Sequence, residues 1–424
     1  MINANDCLCL TDNETIDYAI AHRGADGIVV IPPRVSHIEP ERSYWLLDRA
    51  ILLPGNTTVV LQNCKLKLSD RCRDNFFRTA NCGFGFPDPA PIENVHIRGE
   101  GLCILEGADH PRATGDSSKL QHNPCPHHPA DIIAIDADWV PRERKQSGKL
   151  GFWDVHNHSY GTDAGNPDES QYGDWRGIGV LFARARHFSV SGLRIVESHG
   201  WGISMEDCSY GRIEKIDFDA RMHKEIDGMV MNMENQDGID IRNGCHHITI
   251  TDITGQTGDD VIALTAIVPN QETFRPGGSL CSTHVMPNDW SKRERDIHDI
   301  IIRNVTAFSY LCWVIRLLPA NTNIYNVVID GVIDARPADS EPVGGTLLLG
   351  DGGGYGDNQP ESMRGISISN VICASGTAVT LAGYMKDSVI SNVVNKNPAI
   401  PVLQVIRPDG MTNVVTAGLV QAGS

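Results

Sequence analysis

The chain has 424 residues, 41% of them hydrophobic, and a formal net charge of -17. That length can bury a large core, and the acidic balance sets aside naked nucleic acid and anionic membrane surfaces as partners. It also repels polyanions at long range, so a groove for an acidic ligand would need its own Arg or Lys.

No stretch approaches the ~18 consecutive apolar residues of a membrane span. The opening MINANDCLCLTDNETIDYAI has no basic region followed by an apolar one, so it does not read as a secretory leader. The expectation is a cytoplasmic protein, or a secreted one if a leader was trimmed. Twelve cysteines occur without CxxC pairs and read as reduced, mostly buried small hydrophobes.

In chain order, Thr15 to His22 is expected to form a short capping helix, and Ile28-Val-Val-Ile-Pro-Pro the first strand. Asn56 to Leu68 and Ile92 to Glu106 read as early coils of a repeating structure. From 109 to 174 the chain is rich in Pro, His, Gly and charge and is expected to be a long loop excursion. His127-His128 and His156-x-His158 lie there without a partner set, so no metal site is assigned to them.

A pattern then recurs: apolar, any, apolar, any, any, apolar, any, apolar or small. It appears as Phe188-Val190-Leu193-Ile195, Ile248-Ile250-Ile253, Ile300-Ile302-Val305, Val327-Ile329-Val332 and Ile366-Ile368-Val371. The shortest repeats are about 22 residues apart, and longer steps are one unit plus an insertion. A second strand follows each: Trp201 to Met205, Gly238 to Ile241, Val261 to Leu264, Val314 to Leu317, Thr346 to Leu349 and Ala378 to Leu381. Their alternation predicts one buried and one exposed face. Further loops are expected at 269–295, 335–345 and 350–360. The Gly352-Gly-Gly354 run is not a phosphate loop, because the lysine and helix are missing.

The fold class that follows is all-β: a single-stranded right-handed parallel β-helix over 1–424, with long loop insertions. A β-sandwich is the competing architecture, but sandwiches do not repeat one pattern at a fixed step.

Asn235-Gln-Asp-Gly-Ile-Asp240 and Gly258-Asp-Asp-Val-Ile-Ala263 carry the chemistry. Asp237 and Asp259 are about one bare coil apart, which predicts that Asp237, Asp259 and Asp260 meet on one outer edge. Crowded carboxylates raise at least one pKa, setting a proton donor beside an ionised base, as glycoside hydrolysis requires. Turn formation is the bland account of each motif alone. Calcium binding is another, and would suit a polysaccharide lyase.

Supporting substrate contacts are expected from Arg316, Asp240, Arg242, His199 and Trp313, with Trp201 also on this edge. Arg316 and Arg242 have salt bridging as their alternative, His199 a loop hydrogen bond, and the tryptophans core packing.

The two motifs resemble the Asn-Thr-Asp-Gly-Ile-Asp and Gly-Asp-Asp-Cys-Ile-Ala motifs of glycoside hydrolase family 28, the polygalacturonases. The resemblance extends more loosely from Phe188 to Leu264. It implies a parallel β-helix and an inverting hydrolysis without cofactor. Asp259 corresponds to the general acid, Asp237 and Asp260 to the carboxylates that activate water. The chain departs where the family has Gly-His-Gly, since Cys312 falls at the histidine and is followed by Trp313. It departs again where the family has Arg-Ile-Lys, since Gly345-Thr-Leu-Leu-Leu349 carries no cation. The expected partner is therefore an oligo- or polysaccharide of unassigned sugar, and self-association is left open. A lyase or glycan transferase using the same groove, or a non-catalytic glycan-binding β-helix, are the alternatives.

Overall fold

The computed structural model describes residues 1–423 apart from 8, 36–38, 73, 84–85, 87, 110–156, 159–173, 222, 227–228, 234–235, 268–282, 287–289, 338–343, 352–357 and 375. His127, His128, His156, Asn235, Gly352–Gly354 and most of the 109–174 excursion therefore lie outside the described residues. So do parts of the other three expected loops.

Helix α1 spans Asp12–Ala21, three residues earlier than expected at its start. The reason is a capping box. Thr11 Oγ1 accepts from Glu14 N at 3.2 Å, and Glu14 Oε2 accepts from Thr11 N at 3.0 Å, so two otherwise orphaned donors are satisfied. The helix buries Ile16, Ala19 and Ile20 in the core over the first coils.

Two long ladders follow, and each strand pairs in parallel with its equivalent one coil before and after. The first runs from Ile2–Asn3 and Ile28–Ile31 through Ala185–Val196, His246–Thr257, Ile297–Ser309 and Ile324–Asp334 to Met411–Gln421. The second includes Val180–Ala183, Ile203–Glu206, Ile239–Arg242, Ile262–Ile267, Trp313–Ala320, Gly345–Leu349 and Thr377–Leu381. One cluster of buried apolar side chains runs inside from Ala4 to Val393. The molecule is the expected right-handed parallel β-helix.

The doublet in the middle of the repeat is a corner. Its second residue takes a left-handed backbone at Gly192 (φ 69°), Asp252 (58°), Asn304 (53°), Gly331 (73°) and Asn370 (57°). Gly, Asn and Asp tolerate that region at least cost. The strand turns there without leaving the ladder, so both apolar pairs of the pattern point inward. One bent strand thus supplies two sides of each coil.

Two expectations are corrected. The second-ladder strands do not have an exposed face, because every residue of Val180–Ala183, Ile203–Glu206, Ile239–Arg242 and Ile262–Ile267 is buried. Thr283 to Met286, from the 269–295 excursion, cover part of the outside at Leu181, Glu206 and Arg242. The 109–174 excursion is also not loop throughout: Asn157–His158 pairs with Met229–Met233, which pairs antiparallel with His223–Ile226.

Candidate active site

Ladder register decides which side chains meet. Ile203, Ile239, Ile262, Ile315 and Leu347 are stacked partners. Just before these strands the backbone keeps the same order: Gly202 N donates to Asp237 O (2.8 Å), Gly238 N to Asp260 O (2.9 Å) and Val261 N to Trp313 O (3.0 Å). Trp201, Asp237, Asp260 and Trp313 therefore form one column, with neighbours ~4.8 Å apart along the axis. The stacked pair is Asp237 with Asp260. Asp259 sits beside them on the turn, one residue off the expected register.

That turn is tightly specified. Gly258 N and Asp259 N donate to Gln236 O at 3.1 and 3.3 Å, and Gln236 Nε2 donates to Ser198 O at 2.8 Å, so one buried glutamine joins three coils. Asp259 Oδ1 accepts from Asp260 N at 2.9 Å, and Thr257 Oγ1 donates to the Asp259 carbonyl at 2.6 Å. Gly238 allows the close stacking: a Cβ there would lie 2.4 Å from Val261 O and 3.0 Å from the Phe218 ring.

The electrostatics follow from burial and crowding. Burial pushes the Asp237 carboxyl well above its ordinary range, and the charges of Asp240, Asp259 and Asp260 push further, against Arg316. Asp260 is pushed up to about 7, by burial first and Asp259 second. It is held lower than burial alone would leave it by Arg316 Nη1, 3.4 Å from Oδ2, and by Trp313 N, 2.9 Å from Oδ1. Near neutral pH this pair retains protons that ordinary aspartates have lost.

Oxygens of Asp259 and Asp260 and the Cys312 sulfur all lie within 4.8 Å of one another. Burial and these carboxylates push the Cys312 thiol up, so it stands here as a neutral S–H group. Hard cations prefer all-oxygen sets and zinc prefers nitrogen or sulfur. Two carboxylates and one cysteine are neither an all-oxygen set nor one rich in nitrogen or sulfur.

The other expected residues divide. Arg316 is on this site: Asp240, Ala263 and Arg316 occupy successive coils, and the small Ala263 leaves the guanidinium room to reach Asp260. Trp313 is half-buried, its ring lying over Gly345, where a Cβ would come within 2.6 Å of the ring. Asp240 is buried under the site and acts on it through its charge on Asp237. His199 is buried in a loop contact, with Nε2 accepting from Ala108 N at 2.9 Å. Trp201 packs with Trp175, Ile178 and Leu181.

Arg242 is not offered to a substrate, contrary to expectation. It is 1% exposed, lies 4.8 Å over the Trp201 ring, and donates to Thr283 Oγ1 at 2.9 Å. It also hydrogen-bonds His284, whose Nδ1 is 2.7 Å from Glu206 Oε1. Glu206 in turn accepts from Val285 N at 2.9 Å and Met286 N at 3.3 Å. This buried Glu206–His284–Arg242 cluster fastens residues 283–286 over the outer face beside Asp240. Sequence reading missed Glu206, Thr283 and His284, since nothing in the repeat marks an insertion residue that returns to the sheet.

Comparison with known proteins bears on the family and the fold. Residues 165–277, which carry both aspartate motifs, match the model of glycosyl hydrolases family 28. No curated protein sequence matches the chain significantly. Among solved structures, a hyperthermoactive exopolygalacturonase from Thermotoga maritima is similar over 99% of this chain and 92% of its own, with 16% identity and a TM-score of 0.52. A tailspike of E. coli bacteriophage HK620, in complex with a pentasaccharide, is similar over 100% and 66%, with 12% identity and a TM-score of 0.56. PfbA, a surface adhesin of Streptococcus pneumoniae, is similar over 99% and 89%, with 11% identity and a TM-score of 0.53. At such identities these structures share the fold and nothing finer. The segment that carries Asp237, Asp259 and Asp260 is thus similar to glycosyl hydrolases family 28, and it is set in a right-handed parallel β-helix.

Proposed function

We propose that this chain hydrolyses a glycosidic bond in an oligo- or polysaccharide, a pectin-like or other plant or microbial glycan, by carboxylate acid/base catalysis with inversion. The family match supports the hydrolase class. One observation carries the mechanism: Asp237 and Asp260 are stacked and buried, with Asp259 on the adjoining turn.

A base works best when its pKa lies near the working pH. Asp260, at about 7, is suited to take a proton from water as that water attacks the anomeric carbon. Asp237, which keeps its proton beside Asp260, can hydrogen-bond that water and hold it for Asp260. The resemblance to the family assigns to Asp259, the least buried of the three, the protonation of the departing glycosidic oxygen. Arg316 steadies Asp260 as charge shifts, and the half-buried Trp313 ring offers an apolar face to a sugar.

A panel of pectic and other plant and microbial glycans, with products analysed by mass spectrometry, tests this reading. Saturated products gaining one water are expected, with turnover lost in Asp259→Asn and Asp237→Asn. Unsaturated products absorbing in the ultraviolet would instead assign a lyase, and turnover unchanged in Asp259→Asn would end the catalytic role. Proton NMR of the first product decides the stereochemistry, and retention at the anomeric carbon would refute inversion.

A further inference from the structure

On the first ladder a second cluster has no part in the carboxylate chemistry. We infer that His247, His298 and Asp299 form a binding site for a divalent transition-metal ion of the zinc class. Their donor atoms all lie within 4.8 Å of one another. Asp299 Oδ2 is 2.7 Å from His298 Nδ1 and 3.7 Å from His247 Nδ1. These values bracket the ~3.3 Å donor–donor edge of a tetrahedral ion bound at ~2.0–2.1 Å. Two imidazoles and one carboxylate are a donor set that zinc-like ions favour over calcium or magnesium.

The ladder brings these donors together. His246, His298 and Tyr325 occupy successive coils, which places His247, Asp299 and Asn326 in the adjoining column. All three take left-handed backbones, with φ of 54°, 56° and 55°. Along the coil, the strand Ile239–Arg242 separates this cluster from Asp237.

The surrounding contacts orient the donors as outer partners do in metal sites. Asn326 Nδ2 donates to Asp299 Oδ1 at 3.0 Å, which leaves Oδ2 turned to the histidines. His298 Nε2 is 3.4 Å from Glu294 Oε1, and Tyr325 Oη donates to that same oxygen at 3.2 Å. The His298 ring is stacked between Tyr325 at 4.8 Å (4°) and His246 at 5.0 Å (3°). His246 Nδ1 lies 2.8 Å from His247 Nδ1, next to the position a fourth ligand would take.

Isothermal titration calorimetry of the tag-free full chain, stripped with chelator and titrated with zinc chloride, tests the site. One equivalent is expected to bind. Affinity should fall at least ~10-fold in His247→Ala and in Asp299→Asn, while both variants keep the wild-type melting temperature in chelator. Cobalt(II), used as a visible-absorbing stand-in, should report loss of the site in the same variants. No binding at 100 µM zinc would overturn the proposal. So would binding that survives His247→Ala but disappears in Cys312→Ser, because the ion would then sit at the carboxylate centre. The outcome is independent of glycan turnover.

Discussion

Replacing Asp260 with asparagine should raise stability, and the gain should depend on pH in a defined direction. Asp260 has a folded-state pKa of about 7, against an ordinary value near ~3.9. Between those values the folded chain binds a proton that the unfolded chain has released. Stability therefore falls as pH rises from about 4 to about 7 and changes no further above it. The full penalty is about 4 kcal/mol at ~1.4 kcal/mol per pKa unit. Asparagine keeps an oxygen for Trp313 N and has no charge to bury, so the variant escapes this loss. An unfolding entropy of ~2.1 cal/mol/K per residue gives about 0.9 kcal/mol/K for 424 residues. The expected difference in melting temperature is then about 4–5 °C, less what is lost when Arg316 gives up its partner. Scanning calorimetry of both proteins at matched scan rates from pH 4.5 to 8.5 measures it and needs no substrate. The variant should match wild type near pH 4.5 and exceed it increasingly up to pH 7 to 8. A difference that stays flat, or shrinks as pH rises, would refute the claim that this carboxyl is buried and crowded.

On a substrate found by the glycan panel, kcat/KM should rise with pH through a limb near 7, because Asp260 must be ionised to accept a proton from water; a limb near 4 would remove it from that role. Glu206→Gln keeps an oxygen for Val285 N and Met286 N but deprives buried Arg242 and His284 of their counter-charge; chemical unfolding should show a loss of about 3–5 kcal/mol, and one below about 0.5 kcal/mol would mean that the 283–286 segment is not held this way. Gly238→Ala forces a methyl group against Val261 O and the Phe218 ring; a loss of about 1–3 kcal/mol is expected, with glycan turnover falling as Asp237 and Asp260 are pushed apart.

The repeat is a local property: each coil must bury the same few side chains, so Ile248-Ile250-Ile253 and its equivalents record the inward face whatever the loops between them do. The corner is recorded too, because only residues such as Gly331, Asn304 and Asn370 take a left-handed backbone cheaply. For the same reason the aspartate motifs could be placed on one edge without coordinates. Counting along the chain could not say that Asp260, and not Asp259, stacks on Asp237, because backbone hydrogen bonds across coils set that register. Nor could it foresee that Arg242 would be taken up by Thr283 and His284. Those partners come from an insertion outside the periodic pattern, and contact across such sequence distance forms only when the folded chain brings it there. The His247–His298–Asp299 cluster was missed likewise, since an insertion between the coils hides adjacent columns from any fixed spacing.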